Sequence, residues 1–229
     1  MLTIMYGRET DHSLVGDWDG DGVDTPGVFR GGPRLKAAGE CAPLNEGRSR
    51  YTTDNANRVS LVIAERYGTS YAKFVNCHKQ WDGSYYEEWQ TLTRIGANGM
   101  ATVGEPAAWH TYKTPTGSYS VTESFGVYNP GTDLDYRQLN SQSKWGGTRG
   151  VNYNQYFEGP KASAADENMW AIDRAGDYRL GVVINHNRPP DSEIVEGMGY
   201  AIFFHANKVA TAGCVALTEN EVAKYMRTA

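Results

Sequence analysis

GYAIFFHANKVATAGCVALTENEVAKYMR, residues 199–227, decides how the chain is read. An apolar run, Ala201-Ile202-Phe203-Phe204, ends on His205, and Cys214 follows in the small-residue setting Thr211-Ala212-Gly213-Cys214. The reading is a strand with a histidine at its tip, a tight loop, the cysteine, and then a helix. Thr218-Glu219-Asn220-Glu221 fits a capping box, and Val222, Tyr225 and Met226 follow at helical spacing. A thiol attacks only as thiolate, so an imidazole within hydrogen-bond reach of Cys214 makes it a nucleophile by taking the proton. Gly213 lets a substrate carbonyl approach the sulfur, and the N–H groups of Gly213 and Cys214 can face an oxyanion. On composition alone a cysteine between alanines and a valine also suits a buried core thiol.

Length and composition bound the alternatives. A chain of 229 residues buries a real core in one domain or two. A formal charge of −5 argues against nucleic acid as a partner, which needs a concentrated basic face. The sequence has no stretch long enough for a transmembrane helix. The apolar part of Met1–Thr10 is too short for a secretory leader, and the expectation is a truncated or re-started reading frame. With Cys214 set aside as nucleophile, Cys41 and Cys77 remain as one candidate pair, whose spacing does not say whether they meet.

Three segments are expected: residues 1–32, 33–57 and 58–229. The first holds Asp17, Asp19, Asp21, Val23 and Asp24 in VGDWDGDGVDTPG. Carboxylates at alternate loop positions, then a glycine and a backbone carbonyl, suit calcium; the pattern equally suits a bare Asp/Gly turn between strands. It resembles one FG-GAP or VCBS-type propeller repeat. A single repeat cannot bury its faces, so the segment reads as a remnant of a longer repeat region. Residues 33–57, rich in Gly, Pro, Ala, Arg and Asn, read as a linker or irregular wrap.

From residue 58 strand-like runs alternate with turns: Arg58–Ile63, Tyr71–Val75, Ser84–Leu92 after the Asp82-Gly83 turn, and Gly117–Glu123. Leu180–Ile184 and Tyr200–Phe204 are continuously apolar, hence central strands. The fold class is mainly β, a sandwich or barrel-like domain closed by the C-terminal helix after Cys214. Residues 129–168 are polar, Gly-rich and aromatic, with Tyr136, Trp145, Tyr153, Tyr156 and Phe157. That excursion is read either as a wall or lid over the site or as a surface segment packed by its own rings. His205 and Cys214 lack the further ligands of a zinc site, and no catalytic cofactor is expected.

Phe204-His205 followed by Thr211-Ala212-Gly213-Cys214-Val215-Ala216, with Lys113-Thr114-Pro115-Thr116-Gly117-Ser118-Tyr119 upstream, resembles the L,D-transpeptidase (YkuD-type) catalytic domain. The resemblance runs from about Arg58 to the C-terminus. Ala212 stands where the family commonly has a second histidine, Ala216 where it often has Asn or Arg, and the His-to-Cys spacer is short, which suggests a subgroup.

The resemblance implies a β-rich fold with Cys214 as nucleophile and His205 as general base. It further implies transferase chemistry on peptidoglycan stem peptides that joins two stems 3→3, an extracytoplasmic, cell-wall location, and sensitivity to carbapenems. Gly213 is the candidate oxyanion donor; Trp145, Tyr153, Tyr156 and Lys113 are candidate substrate contacts. Two alternatives share the residues: a wall-peptide hydrolase using the same pair, and a catalytically dead, calcium-dependent wall-binding module.

Overall fold

The computed structural model describes residues 12–17, 20–29, 36–107 and 110–229, and the chain divides into two compact units, residues 1–37 and 38–229. In the first, β1 (His12–Gly16) and β2 (Thr25–Phe29) pair antiparallel, with His12 opposite Phe29. Asp17 follows β1 directly. Its carboxylate accepts from the N–H groups of Gly20, Asp21 and Gly22, and Asp21 Oδ1 accepts from Val23 N–H. Gly20 and Gly22 both take positive φ, which explains glycine at those turn positions.

The second unit starts inside the stretch expected to be a linker or irregular wrap, and the described residues there are a wrap. A 3₁₀ turn (Gly39–Cys41) runs into α1 (Ala42–Asn45), and a disulfide joins Cys41 to Cys77. Asn45 adds a two-way link: its side chain donates to the Tyr85 carbonyl and accepts from the Tyr85 N–H. Residues 38–57 therefore belong with the sheet. A low-periodicity stretch looked like a linker because what anchors it is a covalent cross-link and side-chain hydrogen bonds, not apolar repeats.

The strands that follow are β3 (Arg58–Ile63), β4 (Tyr71–Lys79), β5 (Tyr85–Arg94), β6 (Val121–Gly126), β7 (Asp135–Gln138), β8 (Ser143–Trp145), β9 (Tyr156–Glu158) and β10 (Glu167–Asn168). Then come α2 (Met169–Ala175), β11 (Leu180–Ile184), β12 (Phe203–Ala206), β13 (Val215–Leu217) and α3 (Glu219–Met226). Eight strands form one curled sheet, a half-barrel, in the order β3-β4-β5-β13-β12-β11-β6-β7. β12 and β13 run parallel at its centre, and β10-β8-β9 make a separate small sheet.

The two central apolar runs are buried on both faces, as continuous hydrophobicity predicts. On one face Val182, Ile184, Phe204, Val215 and Leu217 pack with Phe74 and with Val222, Tyr225 and Met226 of α3. The helix is held by the expected capping box, Thr218 with Glu221. Each large apolar side chain it buries contributes about 2 kcal/mol. On the other face Val183 and Phe203 meet Phe125, Trp145, Tyr153, Met169 and Tyr178. The aromatic excursion thus supplies the second layer: Trp145 lies edge-on to Phe203 with centroids 4.8 Å apart.

Candidate active site

β12 and β13 bring histidine and cysteine together through their register. Phe204 pairs with Val215 and His205 with Ala216, so strand alternation puts His205, Phe203 and Cys214 on the same face. The two side chains are walls of one cleft of about 290 Å³, shared with Glu167, Asp177, Tyr178 and Tyr200.

The histidine is oriented from behind. α2 is capped at its start by the Asn168 side chain, which accepts from Ala171 N–H. It ends on Gly176 at φ 105°, a left-handed residue that favours glycine. The turn aims the Asp177 carbonyl at His205, whose Nδ1 lies 3.2 Å from it and 3.2 Å from the Ala206 carbonyl. Both partners can only accept, so Nδ1 carries the proton and Nε2 keeps the lone pair. Burial lowers the pKa of His205, against the opposing pull of Asp177, and this keeps the ring neutral near pH 7. The Tyr178 ring meets it edge-on at 5.1 Å.

The cysteine is only 7% exposed, and its Sγ donates to the Ala201 carbonyl at 3.2 Å. Burial drives its pKa well up, Glu167 and Asp177 add to the rise, and the Phe203 amide opposes it. At rest it is a thiol. Among the described residues no hydrogen bond joins it to His205, so the direct contact expected from the sequence is replaced by a shared cleft. Ala201 presents its carbonyl from a positive φ of 56°. Asn154 fixes that conformation: its Oδ1 accepts from Ala201 N–H and Trp145 Nε1, and its Nδ2 donates to the His186 and Asn187 carbonyls.

The turn carrying Gly213 departs from expectation. Its N–H is donated to Thr211 Oγ1 at 3.1 Å, and Thr211 Oγ1 donates in turn to the Cys214 carbonyl at 2.6 Å. The Gly213 N–H is therefore engaged within the turn. Glycine is required there by φ 152° and by the Lys113 carbonyl, 3.0 Å from where a Cβ would stand.

The Lys113–Tyr119 stretch lies against this turn. Thr114 Oγ1 donates to the Gly213 carbonyl at 2.8 Å and accepts from Gly96 N–H. The Lys113 ammonium pairs with Glu105, whose carboxyl it holds down at about 2 together with the Thr102 N–H.

The aromatic candidates sit beneath the cleft, not on its walls. Trp145 and Tyr153 are 1% and 4% exposed in the core, and Tyr156 is partly buried beneath the Arg137 guanidinium. Rings expected to hold substrate are used to cover Phe203 and Tyr200. Of the candidate calcium ligands, Asp19 lies outside the described residues, and the Asp17 and Asp21 carboxylates accept backbone N–H groups of their own loop. Among the described residues no group of three or more His, Cys, Asp or Glu is placed to hold a metal ion.

Sequence reasoning passed over Glu167 and Tyr178. Glu167 Oε2 accepts from Tyr178 O–H at 2.6 Å, and burial pushes the Glu167 carboxyl up to about 7. Neither residue stands in a motif; the nearest signal was Glu167 preceding the Asn168 cap of α2.

A buried thiol just before β13 and a neutral imidazole on the parallel strand β12 thus line one cleft of a β half-barrel. The profile of the L,D-transpeptidase catalytic domain (YkuD) matches residues 82–228, well over half of the chain, and the chain belongs to that family. No curated protein and no solved structure matches it. The matched region lies beyond residues 1–32, so the propeller-repeat resemblance has no support. The family acts on the cell wall, consistent with an extracytoplasmic setting and with the Cys41–Cys77 disulfide. No helix among the described residues is long and apolar enough to cross a membrane.

Proposed function

We propose that the chain is a peptidoglycan L,D-transpeptidase working through a thioester on Cys214. The observation that carries the reading is the His205 tautomer: with Nδ1–H held on two carbonyls, Nε2 is left as a proton acceptor in the cleft that Cys214 lines. A stem-peptide carbonyl entering the cleft takes the place of the Ala201 carbonyl beside the sulfur. The thiol proton passes to His205 as the C–S bond forms. The oxyanion is assigned to the Cys214 N–H, since that of Gly213 is engaged by Thr211. The C–N bond to the terminal D-residue then breaks, and its amine leaves with the proton from the imidazolium. An amine of a second stem attacks the thioester and makes the 3→3 link.

Incubation with a disaccharide-tetrapeptide, followed by product masses, tests this. Cross-linked dimer is the expected product. Free tripeptide alone would make the chain a hydrolase, and retained binding without turnover would make it a wall-binding module.

A further inference from the structure

The cleft that holds Cys214 and His205 contains a third ionisable group that the two-residue chemistry leaves idle. Glu167, from β10, lines it; one carboxyl oxygen takes the Tyr178 hydroxyl, and among the described residues no donor takes the other. No lysine or arginine lines the cleft, and its other carboxyl belongs to Asp177. A carboxylate with a free oxygen beside the nucleophile suits a cation, and an amine acceptor arrives near neutral pH as an ammonium ion. It is inert until it loses a proton.

We propose that Glu167 receives the acceptor: it binds the incoming alkylammonium, takes one proton from it, and releases the neutral amine toward the acyl carbon on Cys214. This rests on the thioester reading above. The step balances as follows. The ammonium gives a proton to the Glu167 carboxylate. The amine nitrogen bonds to the thioester carbon and loses its second proton to His205. The C–S bond breaks, the Cys214 thiolate recovers that proton from the imidazolium, and Glu167 releases its own to solvent.

The electrostatic setting fits the task. Burial holds the Glu167 carboxyl at about 7, where it can both accept and release a proton near neutrality. The groups that bear on it are Tyr178, whose hydroxyl stabilises the charged form, and Lys161, which does the same more weakly. Tyr200, Cys214, Asp177 and His205 share the cleft. The same arrangement gives the terminal D-residue's carboxylate no counter-charge within the cleft, so selectivity there falls on the acceptor side.

The test uses the whole protein and starts from the acyl-enzyme, formed with a stem tetrapeptide or a carbapenem and verified by intact mass. Transfer is then measured to Nα-acetyl-lysine, an ammonium near pH 7, and to hydroxylamine, which is neutral there. In Glu167→Gln the ratio of lysine to hydroxylamine transfer is expected to fall on the order of a hundredfold. In Tyr178→Phe, where the carboxylate remains, the ratio stays well above that of Glu167→Gln. An unchanged ratio in Glu167→Gln, or an equal fall in both variants, overturns the proposal. Should Glu167→Gln not fold, the wild-type protein decides. A quaternary alkylammonium, which has no proton to give, should compete with lysine transfer and leave hydrolysis of the thioester alone; absence of that competition also overturns the proposal. If the wild-type protein forms no acyl-enzyme at all, the thioester reading fails first, and visibly so, before any acceptor is added.

Discussion

Thr114 Oγ1 donates to the Gly213 carbonyl at 2.8 Å, across a sequence separation of 99 residues. The same oxygen accepts from Gly96 N–H, so one hydroxyl joins the upstream motif to the turn that presents the nucleophile. Thr114→Val keeps the shape and leaves both backbone groups without their partner. It is expected to cost about 2 kcal/mol in denaturant unfolding and to slow Cys214 acylation more than Thr114→Ser does. Equal acylation rates in the two variants would mean that the hydroxyl does not set the turn.

The Cys214 thiol is held protonated by burial, so its bare reactivity should be low. Alkylation by iodoacetamide at pH 7 should lag well behind that of free cysteine and climb with pH past the ordinary thiol range. On the proposed mechanism, a carbapenem should give a single mass adduct on Cys214. Cys214→Ala abolishes it, and His205→Ala slows its formation by on the order of a hundredfold or more. An adduct that persists in Cys214→Ala refutes the assignment.

The Asn154 side chain makes four hydrogen bonds from inside the core, one of them to the Ala201 N–H. Asn154→Ala is expected to lose about 3 kcal/mol in chemical denaturation. It should also depress acylation beyond what the stability loss explains, because Ala201 is then free to leave its positive φ. Trp145→Phe, which removes only one of these bonds, should be milder in both measurements.

Glu167 makes stability depend on pH between mild acid and neutrality. Its folded carboxyl titrates near 7, above the ordinary carboxylate value of about 4, so the folded state binds more protons than the unfolded chain between these pH values. Stability therefore falls as pH rises through that window and levels off above it. Glu167→Gln should melt higher than wild type at pH 8, and the gap should close by pH 4. A gap that stays constant with pH would place the carboxyl in an ordinary solvated setting.

The Cys41–Cys77 bridge closes a loop of sequence separation 36. Its removal, by reduction or as the Cys41→Ser/Cys77→Ser pair, is expected to cost about 3 kcal/mol. The 3₁₀ turn and α1 should come loose first, read as faster amide exchange at Asn45 and Tyr85, whose mutual hydrogen bonds depend on that anchor.

The central strands and the C-terminal helix were legible because burial on both faces writes an unbroken apolar run and a capping box writes a helix start. Leu180–Ile184 and Thr218–Met226 carry these signals without interruption. That His205 and Cys214 would share a cleft was legible through motif and order. What the sequence hid depends on contacts between distant, unpatterned residues. The Gly213 N–H is diverted by a side chain two residues earlier, Asn154 acts through a loop forty-seven residues away, and Glu167 enters the cleft from a two-residue strand. Aromatic content in residues 129–168 suited a binding wall and a self-packed surface segment alike, yet Trp145 and Tyr153 form a layer of core, because a two-faced central sheet needs something to cover its second side.

The chain has three cysteines, and two are joined to each other. One sulfhydryl per polypeptide therefore remains, that of Cys214, and it is the one proposed to react. Counting thiols released on denaturation, before and after incubation with a slow acylating inhibitor, gives the fraction of competent molecules in any preparation directly. The bridge thereby turns the enzyme into its own titrant.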